Sequence, residues 1–164
     1  MSYICKIATK EEMLKQFDYE ISIHPESRSN WETWKEEASL IPEGHRVTYF
    51  GVLDGEVISE ATAAITEYTI QNADMLVDSD TAYLFAFRTK KAYQGKGYFG
   101  ILFRFMLDDL KKRGYKRVTI GVEPEELRNK AIYAHFGFNE YIKSAIEYEP
   151  DGRGVEVEFY SREL

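Results

Sequence analysis

The stretch Ala92–Phe103, "AYQGKGYFGILF", lies just past the middle of the chain and carries glycines at positions 95, 97 and 100. An apolar run follows these glycines, which indicates a tight turn leading into a helix. The spacing G-x-G-x-x-G is also typical of loops that bind dinucleotides. The rest of the sequence must therefore decide between a dinucleotide, another phosphate-bearing ligand and a purely structural turn.

The segments on either side of this loop predict one strand–helix–strand unit. Tyr83–Arg88 is apolar enough for a buried strand, Tyr98–Lys112 places its apolar residues on one helical face, and Arg117–Glu123 alternates as a strand does. Such a crossover is right-handed and joins two parallel strands. The sheet therefore contains at least one parallel pair.

The remaining elements predict antiparallel pairing and further helices. Capping boxes at Thr9/Glu12 and Ser29/Glu32 each begin a helix, and Pro124 begins another that runs to Phe136. The other strands are expected at Tyr3–Ala8, Val47–Leu53, Glu56–Thr66, Asn139–Tyr148 and Val155–Ser161. The predicted fold class is α/β (α+β): a mixed, mostly antiparallel sheet of about seven strands with one parallel β-α-β crossover, and helices on both faces. We expect residues 1–164 to form one domain.

Composition excludes several classes of protein. Hydrophobic residues make up 44% and charged residues 30% of the 164 residues, as in a folded soluble chain. The net charge of −7 disfavours nucleic acid as a partner. A lone cysteine, Cys5, excludes an intrachain disulfide, and no run of apolar residues is long enough to cross a membrane. We expect a cytoplasmic protein that does not bind membranes. The sequence leaves open whether it forms a homodimer.

The dinucleotide hypothesis passes one test and fails two. Glu123 lies close to the position where an acidic residue would hold a ribose hydroxyl. However, the basic segment Thr89–Gln94 separates the strand from the first glycine, and only one crossover unit is visible. An NAD-dependent oxidoreductase is therefore the least favoured of three functions that the sequence allows. A glycine turn at a helix N-terminus still suits a pyrophosphate, helped by nearby lysines, although it is equally typical of a structural turn.

Two segments resemble one known family. "RTKKAYQGKGYFGILF" (Arg88–Phe103) resembles the acetyl-CoA-binding motif Q/R-x-x-G-x-G/A of the GNAT family of N-acetyltransferases, with Gln94 and Gly97 at its first two fixed positions. "NKAIYAHFGF" (Asn129–Phe138) resembles the later family segment in which a helix carrying a Tyr ends in Gly-Phe. Phe99 departs from the family, which usually has Gly or Ala there. Asn129 also departs, because Glu126 occupies the place of the family's Asn.

The resemblance implies acetyl transfer from acetyl-CoA to a primary amine of a small molecule or peptide by direct attack in a ternary complex. No His, Asp or Glu cluster has metal-ligand spacing, so we expect no metal. It implies that Tyr133 protonates the departing thiolate. It further implies that the strand before the loop splays from its parallel neighbour and that its backbone holds the pantetheine arm. The residues expected to contact acetyl-CoA are Phe87, Arg88, Thr89, Gln94, Gly95, Lys96, Gly97, Phe99, Gly100, Asn129 and Tyr133.

The general base and the acceptor are less well defined. Glu123 is our candidate base, with Glu60, Glu67 or a chain of waters as alternatives. Trp31 and Trp34, together with Glu123, are the candidate acceptor-binding residues, and an aromatic, acidic pocket would suit a cationic amine. The same helix pattern is equally typical of tryptophans packed in a core. The main rival function is an inactive acyl-CoA sensor of the same fold.

Overall fold

Seven strands form one mixed sheet in the computed structural model, which describes residues 2–164. The strands are β1 Tyr3–Ile7, β2 Arg46–Leu53, β3 Glu56–Ala64, β4 Thr81–Thr89, β5 Arg117–Val122, β6 Glu140–Tyr148 and β7 Gly154–Glu163. Their order is β1-β2-β3-β4-β5-β7-β6, and only the β4–β5 pair is parallel in this part of the chain. The predicted fold class is confirmed.

Four α-helices flank the sheet. They are α1 Lys10–Ile23, α2 Arg28–Leu40, α3 Tyr98–Lys112 and α4 Leu127–His135. The capping box predicted for α1 is confirmed, since the Thr9 side chain accepts from the Glu12 N–H and the Glu12 carboxylate accepts from the Thr9 N–H. These two bonds satisfy backbone donors that a helix end leaves free, and they define where α1 begins.

Two predicted helix starts are wrong. Ser29 does not cap α2, because a 3₁₀ turn at Pro25–Ser27 continues directly into the helix and moves its start to Arg28. Helix α4 begins at Leu127 rather than at Pro124. The intervening residues form tight turns instead, with the Glu126 N–H donating to the Glu123 carbonyl at 3.0 Å.

The helices cover both faces of the sheet. On one face, α3 buries an apolar stripe against β2 and β3, and α4 joins it through Phe136, whose ring centre lies 4.6 Å from that of Phe103. On the other face, α1 and α2 pack together over the end of β4, where Arg88 meets the rings of Phe17 and Trp31. None of the helices within residues 2–164 combines the length and apolar character needed to span a bilayer.

A bulge in β4 separates it from β5. Ala86 adopts a left-handed conformation (φ 58°), and the β3–β4 register shifts between Glu60 and Thr62. Parallel pairing joins Thr81–Leu84 to Arg117–Ile120. Beyond these residues β4 continues to Thr89 beside β3 and β5 continues to Val122 beside β7, and β4 and β5 form no further pairs with each other in residues 2–164. Such bulges re-aim side chains and end pairing. The two strands therefore splay, and β4 presents a free backbone edge.

Candidate active site

The glycine loop is open and left-handed at two positions. Gly95 and Gly97 have φ values of 74° and 87°, and a Cβ at either would meet no heavy atom within 4 Å. Glycine adopts this conformation without steric cost, and its lack of a side chain lets a bulky group approach the backbone. The Gln94 side chain donates to the Thr89 carbonyl at 2.9 Å, which ties the loop to the end of β4.

Free backbone donors lie directly after these glycines. The first intrahelical bond of α3 runs from the Ile101 N–H to the Gly97 carbonyl at 3.3 Å, so the N–H groups of Tyr98, Phe99 and Gly100 precede it. These donors coincide with the positive end of the helix dipole. The exposed Lys96 adds a positive charge. This arrangement fits a pyrophosphate group.

The ring of Phe99 points away from the loop. Its centre lies 5.7 Å from the Phe87 ring and 5.5 Å from the Phe103 ring, within the apolar core beneath α3. Phe99 therefore offers the loop a backbone N–H, while its bulk is absorbed by the core. The departure from the family pattern does not narrow the loop.

Tyr133 lies on α4 beside the splayed part of β4. Its ring centre is 5.8 Å from that of Phe87. Burial, and to a lesser extent the negative charge of Glu126, raise the pKa of Tyr133 to about 12. The hydroxyl therefore keeps its proton at neutral pH, as a proton donor must.

Glu123 follows β5 at the other side of the splay. A hydrogen bond with Glu126, partial burial and the charges of Glu126 and Glu125 raise its pKa to about 7. Asn129 donates to the same Glu126 carboxylate at 2.6 Å. A carboxyl that titrates near neutrality is suited to accept a proton. The contact of Asn129 with acetyl-CoA stays a prediction.

A cavity of about 750 Å³ lies between the sheet and the α1–α2 pair. Trp31 and Trp34 are both on its wall, in edge-to-face contact with ring centres 5.1 Å apart. The cation over Trp31 is the protein's own Arg88, whose guanidinium carbon lies 4.9 Å from the ring centre. Glu123 is not among the described residues that form this wall. Of the three candidate acceptor-binding residues, the structure thus brings Trp31 and Trp34 together on this wall but not Glu123.

Arg88 is the centre of a buried ionic cluster on this wall. Its guanidinium donates to the Glu60 carboxylate and has a second carboxylate, that of Glu20, at 3.5 Å. Both carboxylates are almost fully buried. Burial raises the pKa of Glu60, and Arg88 offsets part of that rise. Glu60, one alternative base, is thus already engaged by a cation.

Sequence reasoning missed part of the cavity wall. Arg46, Tyr83 and Glu147 come from three strands, and the loop after β3 adds Thr69 and neighbouring residues. Strand alternation alone could have placed Tyr83 on this face of the sheet. No local sequence signal predicts that the other residues line the cavity. Among residues 2–164, no group of three or more His, Cys, Asp or Glu is placed to hold a metal ion.

Comparison with known proteins gives a consistent result. The sequence profile of the Acetyltransferase (GNAT) family matches residues 8–138. The [Ribosomal protein bS18]-alanine N-acetyltransferase of Escherichia coli (strain K12) is 27% identical over 127 residues, which cover 77% of this chain and 78% of that protein.

Solved structures share the fold. The ribosomal-protein-S18-alanine N-acetyltransferase from Escherichia coli superposes with a TM-score of 0.65 at 16% identity, covering 99% of this chain and 94% of that one. A GNAT-family acetyltransferase from Streptococcus pneumoniae gives a TM-score of 0.68 at 12% identity, covering 99% and 100%. At these identities the likeness concerns the fold alone.

Proposed function

Because the chain belongs to the Acetyltransferase (GNAT) family, we propose that it transfers an acetyl group from acetyl-CoA to a primary amine by direct attack in a ternary complex. The observation that carries this proposal is the splay of β4 from β5 beside an open glycine loop, with Tyr133 packed against the same stretch of β4. We also propose a cytoplasmic location, which the composition favours.

The glycine loop and the free edge of β4 are the proposed binding elements. Backbone N–H groups between Gln94 and Gly100 hold the pyrophosphate, and Lys96 adds charge. The backbone of Phe87, Arg88 and Thr89 pairs with the pantetheine arm. Acetyl-CoA supplies the acetyl group as a thioester, and a backbone N–H of this segment polarises its carbonyl oxygen.

Two side chains move the protons. Glu123, deprotonated above its raised pKa, takes a proton from the acceptor's ammonium group and leaves an amine that can attack. The nitrogen–carbon bond forms as the carbon–sulfur bond breaks, and Tyr133 gives its proton to the departing sulfur. The second proton that the nitrogen loses on becoming an amide then restores the Tyr133 hydroxyl. The buried tyrosine is protonated at neutral pH, which suits this role.

The acceptor is a primary amine of a small molecule or a peptide. The Escherichia coli relative is named for the alanine of a ribosomal protein, which makes an N-terminal peptide amine one option for this chain. The cavity behind β4, lined by aromatic rings and charged groups, makes a small amine the other.

Release of free thiol from acetyl-CoA in a panel of amines tests the activity. Calorimetry with acetyl-CoA, CoA and NAD tests the binding site separately. We expect acetyl-CoA and CoA to bind, and at least one amine to give turnover. Binding of NAD without CoA would contradict the proposal, whereas CoA binding without turnover of any amine would favour an acyl-CoA sensor of the same fold.

A further inference from the structure

Arg46, the first residue of β2, lies on the wall of the cavity behind β4. Its Nη2 donates to the Thr69 hydroxyl at 2.7 Å, and its guanidinium carbon lies 4.9 Å from the centre of the Phe85 ring. The Nε atom is buried and has no acceptor among the described residues. Arg46 thus uses few of the five donors that a guanidinium carries.

No carboxylate of residues 2–164 forms an ion pair with Arg46. Glu37 also lines the cavity and acts on Arg46 by its charge, but not within the 4.0 Å of an ion pair. Burial outweighs that charge and lowers the pKa of Arg46. Arg46 is half-buried, and a partly desolvated cation without an anion is costly, although this chain has a net charge of −7 with many carboxylates to spare. An anionic group on a bound ligand would supply the missing partner of Arg46.

A second arginine of the cavity, Arg88, is already paired. Its guanidinium lies between the carboxylate of Glu60, which lines the cavity, and that of Glu20, which lies behind the wall with the His24 ring nitrogen 3.4 Å away. The bulge at Ala86 lies between Phe85, which underlies Arg46, and Arg88. Among the described residues, Arg46 is therefore the cavity arginine that has no carboxylate in ion-pair contact, and the bulge of β4 separates it from the cluster at Arg88.

We propose that this cavity binds a small amine that also carries a carboxylate, with the carboxylate on Arg46 and the amine directed towards the bulge at Ala86. The inference rests on the proposed acetyl transfer and names its acceptor class. The guanidinium fork matches a carboxylate in two parallel hydrogen bonds, which lysine would not do. The apolar rings of the wall receive the rest of the molecule. A peptide N-terminus fits less well, because its α-carboxylate is consumed in the amide bond.

Matched ligands test this assignment on the full chain. L-phenylalanine, L-methionine and β-alanine are each compared with their own amide, which keeps the size and removes the charge; an alanine-terminated peptide is included. The readouts are kcat/KM from thiol release and calorimetric binding to the CoA complex. We expect at least one free acid to be preferred over its amide by roughly 10- to 100-fold, the range of a charge-assisted hydrogen bond.

Two variants at Arg46 test whether this residue causes the preference for the free acid. Arg46→Gln should abolish the preference, so that acid and amide are turned over at similar kcat/KM, and Arg46→Lys should retain only part of the preference. Arg28→Gln, at an exposed arginine paired with Glu32 outside the cavity, should keep the full preference. Thermal unfolding and acetyl-CoA calorimetry on each variant show that a loss is not a loss of folding.

The outcomes separate this inference from the proposed function. If acetyl-CoA binds but acids and amides bind alike, or neither binds, or the peptide is preferred, the assignment to Arg46 is overturned, and turnover of any other amine decides whether acetyl transfer stands. Retention of the preference in Arg46→Gln also overturns it. Failure to bind acetyl-CoA would overturn the proposed function and this inference together.

Discussion

The two faces of β4 differ in what stabilises them. Past the bulge, Phe87 faces α3 and α4, with the ring centres of Phe103 and Tyr133 at 5.7 and 5.8 Å. The next residue, Arg88, faces α1 and α2 and donates to the buried carboxylate of Glu60. One face is thus an aromatic contact surface, and the other is an ionic cluster between buried partners.

This difference teaches how each face responds to change. Apolar contacts are many and individually weak, so losing one ring costs in proportion to the volume left empty. A buried ion pair fails abruptly, because removing one partner leaves the other charged and desolvated. The aromatic face should therefore tolerate a lost group gradually, whereas the ionic face should fail when one charge is removed.

The largest effect is expected from the hydroxyl on the aromatic face. Tyr133→Phe should lower kcat by roughly 10²- to 10⁴-fold, because it removes the proposed proton donor. The free energy of unfolding should change by less than about 1 kcal/mol, since the ring stays in place. Thiol-release assays measure kcat, and urea unfolding measures the free energy of unfolding. Tyr115→Phe, which removes a hydroxyl from another ring packed on the same core, is the control. Full activity of Tyr133→Phe at every pH would exclude the role.

The next effect is expected on the ionic face. Arg88→Met should lower the free energy of unfolding by about 3 kcal/mol, because it leaves Glu60 and Glu20 buried without a cation. The loss should be smaller at low pH, where the raised pKa lets Glu60 take up a proton. Arg28→Met, at an exposed pair, should cost less than about 0.5 kcal/mol. Equal urea midpoints for the two variants would show that the cluster at Arg88 adds nothing to stability.

A third pair of variants separates the aromatic face from the loop above it. Phe99→Ala should cost about 2 kcal/mol of stability, since its half-buried ring packs on Phe87 and Phe103. Acetyl-CoA affinity should change by less than about threefold, well under 1 kcal/mol. Gly97→Ala should lower acetyl-CoA affinity more than Phe99→Ala does, because a Cβ there would stand where the ligand approaches the backbone, and it should also lower stability, because alanine is strained at a φ of 87°. Calorimetry and thermal unfolding of both variants give the two quantities. A larger affinity loss in Phe99→Ala than in Gly97→Ala would show that the Phe99 ring contacts the ligand.

The glycine loop and its helix could be predicted because their determinants are contiguous in sequence. Gly95, Gly97 and the apolar positions of Tyr98–Lys112 lie within one short segment, and helical periodicity places them. The same periodicity also placed Phe99 on the buried face of the helix, and its ring packs against the core there.

The cavity could not be predicted for the opposite reason. Arg46, Glu60 and Glu147 come from different strands, and they meet only through the sheet order and register. The bulge at Ala86 has no local determinant either, since alanine has no preference for a φ of 58°. The start of α2 depended on the turn at Pro25–Ser27, which an S-x-x-E pattern does not report.

The smallest effect concerns a carboxyl that has no cation beside it. Where Glu60 meets Arg88, Glu123 meets another carboxylate, Glu126, and its pKa rises to about 7. A carboxyl with a raised pKa holds its proton more tightly in the folded chain than in the unfolded one. The contribution of Glu123 to the free energy of unfolding should therefore fall as the pH rises from 4.5 to about 7, and Glu123→Gln should remove that contribution from the overall pH dependence.

The same titration sets the pH dependence of the proposed base. The value of kcat/KM should rise with pH and level off above about 7, as Glu123 loses its proton. Glu126→Gln should move this midpoint down by about one pH unit, because it removes the carboxylate whose hydrogen bond and charge raise the pKa of Glu123. Glu125→Gln, whose charge acts on Glu123 less strongly, should move it less. A midpoint that is unchanged in both variants would assign the titration to a group other than Glu123, and the base would then be water or another side chain.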